Sequence, residues 1–114
     1  MMKTWAVLAG VLCVAASPAS ADGSFKTGRQ LYADCLPTSS ATDKGVCVGY
    51  VMGVADSLAR GDVPLVCVAE GVQGVQLADL VMKWLTENPD KRDFTAVSLI
   101  SAVLQSAFPC PARQ

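Results

Sequence analysis

Four cysteines, Cys35, Cys47, Cys67 and Cys110, stand 12, 20 and 43 residues apart in a chain that contains no histidine. Those two facts bound the chemistry. Structural zinc sites are built from close pairs such as C-x-x-C, often with histidine, and neither is present. Haem attachment through C-x-x-C-H fails on the same ground. Ser–His and Cys–His nucleophile pairs have no base to draw on. Nor do the acidic residues gather into a catalytic pair: they are mixed with basic ones, as in "ENPDKRD" at 87–93, which reads as a solvated helix junction. No phosphate-cradling glycine loop is present, because the glycines lie inside a helical segment. The sequence therefore predicts no enzyme, no metal and no cofactor. An even set of thiols in a small exported chain reads instead as two disulfides.

Export is read from the first 21 residues. Lys3 gives a positive start, "WAVLAGVLCVAA" is an apolar run, and "ASPASA" ends in Ala19-Ser20-Ala21. This is the layout of a secretory signal peptide, with cleavage expected before Asp22. The apolar run falls short of the roughly 20 residues of a membrane span. The fifth cysteine, Cys13, is lost with this segment, and Leu12 before it argues against lipidation. Residues 22–114 then form one small domain. It holds ten acidic and eight basic residues and no basic tract. Nothing in it suits a nucleic-acid backbone or an anionic membrane.

Positioning the cysteines requires helices, and four can be read, with no strand pattern. Thr27 as cap and Gln30 three residues later open the first, which ends near Cys35 before Pro37. The second runs from about Asp43 to Ala59, with Gly61 and Pro64 as stop signals. The third covers about Val75–Glu87, where Leu77, Leu80, Val81, Trp84 and Leu85 recur with helical periodicity. Asn88 and Pro89 are expected to start a fourth, with Phe94, Val97, Ile100, Leu104 and Phe108 as its apolar face. Short connections favour an up-and-down four-helix bundle, an all-α fold. Cys35 and Cys47 then share one end, and Cys67 and Cys110 the other. Helix two spans roughly 22 Å, whereas a disulfide needs α-carbons within about 7 Å. The pairing is therefore expected to be 35–47 and 67–110. Closing these loops contributes roughly 3 and 4 kcal/mol in the loop-entropy account.

Helix two carries "GVCVGYVMGVADS" at 45–57, with Gly45, Gly49 and Gly53 on one stripe beside Asp56 and Arg60. Cys47, Val51, Val54 and Leu58 fall on a different, core-facing side. Glycine weakens a helix by roughly 1 kcal/mol relative to alanine. A stripe that merely met water would be better served by lysine or glutamate. Two readings follow: close packing against another element of the domain, or a surface for a partner or a second copy. Asp56 is placed either to pair with Arg60 four residues on or to be partly buried against a neighbouring helix end. Tyr50 and Trp84 read as core or semi-core residues.

Taken in order, Cys35, "CVGYVMGVADS" from Cys47, Cys67, "QLADLVMKWLTENPDKR" from Gln76 and "AFPC" ending at Cys110 resemble the Rap/Tai family. Members of that family are periplasmic immunity proteins of type VI secretion that neutralise peptidoglycan amidase toxins. The similarity covers nearly the whole of residues 22–114. It implies an all-helical, disulfide-bonded periplasmic domain, and the chain departs from it by offering Gln73-Gly74 where the resemblance leads one to expect a hydroxyl cap on the third helix. It further implies a partner, a cell-wall amidase effector whose cysteine–histidine active site is occluded, and often a homodimer. The irregular stretch Gly61 to Gly74 is the expected contact surface, with Asp62 and Glu70 as contact residues, since binding loops sit on rigid scaffolds. A second function class fits the same residues: a small periplasmic structural or stress-related, chaperone-like helical protein without a dedicated toxin. A neighbouring amidase gene would favour the first reading, and a lone stress-induced gene the second.

Overall fold

Residues 23–112, together with Gly10, are described by the structure, a computed structural model. The expected signal peptide and Cys13 otherwise lie outside the described residues. Four helices follow in order, α1 (Gly28–Cys35), α2 (Ala41–Ala59), α3 (Gly74–Glu87) and α4 (Ala96–Ala107). Each of the four touches the other three. The described residues hold no strand, only an isolated bridge between Thr27 and Thr95. The all-α four-helix fold is thus as expected, and so are both disulfides, Cys35–Cys47 and Cys67–Cys110.

Capping explains where the helices begin. The Thr27 Oγ1 accepts from the Gln30 N–H at 3.2 Å, and the Gln30 Oε1 accepts from the Thr27 N–H at 2.9 Å. That closes the expected capping box. Helix α2 starts two residues before Asp43, because Ser40 accepts from the Asp43 N–H at 3.1 Å and so caps it. Asp43 then sits in the first turn, where a negative charge complements the helix dipole. Helix α3 manages without a hydroxyl: the Gln76 Oε1 accepts from the Gln73 N–H at 2.7 Å. A Cβ at Gly74 would meet the Met52 side chain, which is flexible and lies on the surface of α2.

The start of the fourth helix departs from expectation. Pro89–Lys91 forms only a short 3-10 turn, and Asn88 serves the helix before it, donating from Nδ2 to the Trp84 carbonyl at 2.8 Å. Helix α4 begins after Thr95, whose Oγ1 accepts from the Ser98 N–H. The backbone between is committed elsewhere. The Phe94 carbonyl accepts from the Gly28 N–H at 2.8 Å, the Arg92 carbonyl from the Arg29 N–H at 2.7 Å, and the Ala96 N–H donates to Lys26 at 2.9 Å. The Arg92 and Phe94 carbonyls are thereby turned toward the start of α1 instead of along a helix running from Pro89 into α4. Phe94 is consequently outside the helix and 59% exposed, not on its apolar face. The buried face starts instead at Ala96 and continues through Leu99, Ile100, Val103 and Leu104.

Leu31, Val51, Val81, Leu85, Ile100 and Leu104 form the centre of one core drawn from all four helices. Burying each such side chain contributes roughly 1.5–3 kcal/mol. Tyr50 and Trp84 pack on its rim, as expected. Arg92 closes the base. Its guanidinium stands 3.7 Å from the Tyr32 ring centroid, and its Nε donates to the Leu85 carbonyl at 2.8 Å. This cation–π contact links α1 to the end of α3.

Candidate functional site

The longest irregular connection joins α2 to α3, and the sequence dictates its shape. Gly61 and Gly71 both have positive φ, 95° and 89°, a backbone conformation that strongly favours glycine. Between these two bends the chain is held at several places. The Leu65 N–H donates to the Leu58 carbonyl at 2.8 Å, the Cys67 N–H donates to the Phe108 carbonyl at 3.0 Å, and Val66 is buried at 1% exposure. The Cys67–Cys110 disulfide then ties the loop to the segment that follows α4. With Val66 turned in, its neighbours point out: Val63 is 66% exposed and Leu65 55%. Asp62, Val63, Pro64, Cys67 and Cys110 border a groove of about 620 Å³.

Asp62 and Glu70 are both exposed on this loop, but only Asp62 borders the groove. Asp62 has a bonding partner of its own and is not a free carboxylate. The residues that reading by charge passed over are Val63 and Leu65. Their signal was present in "VPLV" at 63–66, an apolar run inside a connection with no helical period.

The glycine stripe of α2 behaves differently from one of its two readings. Among the described residues, and apart from the chain neighbours and the helix's own nearby backbone, no atom lies within 4 Å of where a Cβ at Gly45, Gly49 or Gly53 would stand. The stripe does not hold another element of the domain against α2; it is exposed. Gly49 and Gly53, with Tyr50 and Ser57, form one wall of a groove of about 460 Å³, and Val97 and Ser101 of α4 form the other. Asp56 is exposed and makes no ion pair with Arg60 among the described residues. Arg60 is the residue after the helix, with extended backbone (φ −85°, ψ 157°), so the i, i+4 geometry on which that pair depends is lost.

Chemically, the arrangement offers binding surfaces. The four domain thiols are consumed in disulfides. Among the described residues no three His, Cys, Asp or Glu side chains stand together as a metal set, and no helix is long and apolar enough to cross a membrane. What remains is an apolar, outward-facing loop held covalently on a helical core.

The family model of the Rap1a immunity proteins matches residues 27–110, from the cap of α1 to the last cysteine. The chain belongs to that family. The match takes in all four helices, both disulfides and the whole α2–α3 loop. The family is one of immunity proteins, and toxin immunity is the function it suggests for the chain. No curated protein and no solved structure matches the chain.

Proposed function

We propose that this protein is exported, cleaved after Ala21, and acts in the periplasm as the immunity partner of a peptidoglycan amidase toxin of type VI secretion. The family match across residues 27–110 carries this reading. The site supports it through the α2–α3 loop, where Val63 and Leu65 present apolar surface on a backbone fixed at both ends. Fixing a loop in advance lowers the ordering cost of association. Large exposed apolar side chains beside a groove are the composition of an interface centre.

A pull-down from the organism's own lysate, with the oxidised exported protein as bait, tests the reading. Stoichiometric capture of one cell-wall amidase, followed by its inhibition in a muropeptide cleavage assay, is the expected result. Failure to bind or inhibit any amidase from toxin-expressing cells refutes it. Intact mass of the exported protein should place its first residue at Asp22. Val63→Asp with Leu65→Asp should abolish capture without lowering Tm, and Asp62→Ala with Glu70→Ala should weaken it. We further propose that the open glycine face of α2, next to Val97, receives a second copy of the chain. Light scattering at high protein concentration should report a dimer that Gly49→Leu disrupts; a strictly monomeric protein rules this out.

A further inference from the structure

The two disulfides sit in unlike surroundings. Cys35 is the last residue of α1 and Cys47 lies inside α2, where it is 4% exposed and part of the core. A groove of about 260 Å³ borders this bridge, but its sulfurs join two helices, so parting them displaces a helix end. Cys67 and Cys110 both lie outside helices, are half-buried, and border the larger groove of about 620 Å³. Parting them moves only the loop and the segment after α4. Apart from the bridge, the loop is held by backbone hydrogen bonds from Cys67 to Phe108 and from Leu65 to Leu58, by the buried Val66, by Val68 and Val72 at the edge of the core, and by the interaction that Asp62 makes. Thiol–disulfide exchange depends on access to a sulfur, and irregular segments open locally at low free energy.

We propose that the Cys67–Cys110 disulfide is a separable redox latch on the α2–α3 loop, opened by a dithiol while the four helices stay assembled around Cys35–Cys47. One thiolate of the reductant attacks a sulfur of the bridge, forming a mixed disulfide and releasing the other cysteine as a thiolate. The reductant's second thiol then displaces the first cysteine. The protein gains two electrons and two protons as two thiols, and the dithiol leaves as its cyclic disulfide. The loop that presents Val63 and Leu65 is thereby released, so its binding form belongs to the oxidised protein. This last consequence rests on the immunity reading; the latch itself does not.

The test is a dithiothreitol time course on the oxidised protein, quenched by alkylation and mapped by mass spectrometry. Cys67 and Cys110 should take up label at least about tenfold faster than Cys35 and Cys47. Far-UV circular dichroism should hold steady during that first phase, while amide exchange rises within 61–73 and 108–112. Labelling of Cys35 and Cys47 first, or of all four together with loss of helicity, overturns the latch. A Cys67→Ser/Cys110→Ser double variant extends the test to the partner. Amidase affinity reduced at least about tenfold with helicity kept supports control of binding. Unchanged affinity overturns that control and leaves immunity intact. An oxidised parent that binds no amidase refutes the immunity reading alone, and the order of labelling still decides the latch.

Discussion

Gly28 and Gly74, at the starts of two helices, and Gly45, Gly49 and Gly53, along α2, are the same residue under opposite constraints. A Cβ at Gly28 would collide with Leu99 and come within 2.9 Å of the Arg92 carbonyl oxygen. The same atom on any of the α2 glycines would meet nothing. Close approach inside the domain therefore occurs at the first residues of two helices, and the periodic set faces outward. Periodicity marks a surface; it does not say what covers it. At Gly28 the cause is the N-terminal segment folding back on residues 92–96, a contact between positions far apart in the chain.

Substitutions break the comparison at different strengths. Gly28→Ala should cost about 1–3 kcal/mol, because the obstructing Arg92 oxygen is backbone and cannot swing away. Chemical denaturation would show this as a lower midpoint, and an unchanged midpoint would place Gly28 with the open set. Thr95→Ala, which removes the cap on the other side of the same contact, should cost about 1 kcal/mol in the same assay. Gly49→Ala has the opposite sign: with open space around it, higher helix propensity should raise stability by about 0.5–1 kcal/mol. A loss that grows with protein concentration would mean that a second copy packs on the stripe. The smallest effect is expected at Gly74→Ala, within about 0.5 kcal/mol of zero. The obstacle is the far end of the Met52 side chain, which can rotate away, so calorimetry should find Tm nearly unmoved.

What could be read from sequence follows the range of the interaction responsible. Thr27 and Gln30 define a cap within four residues, and α3 carries its period in Leu77, Val81 and Leu85, so both helices were readable locally. The disulfide pairing was readable because one rigid length, that of α2, keeps the two ends apart. Asn88 and Pro89 misled because their local signal is real, yet the backbone just beyond them bonds to Lys26, Gly28 and Arg29. Arg60 failed Asp56 for a similar reason, the helix ending one residue too soon for the pair. At the candidate site, charge drew attention to Asp62 and Glu70. The outward turn of Val63 and Leu65 follows only from which neighbour, Val66, the core takes in.

Sequence separation also orders the two bridges in time. As the chain emerges N-terminus first, Cys47 appears 12 residues after Cys35, so that bridge can close while most of the polypeptide is still being delivered. Cys67 must wait 43 residues for Cys110, nearly to the final residue of the chain. During that interval the earliest available partners for a lone Cys67 thiol are the two cysteines already joined. Where Cys35–Cys47 closes first, the wrong partners are removed before the right one arrives.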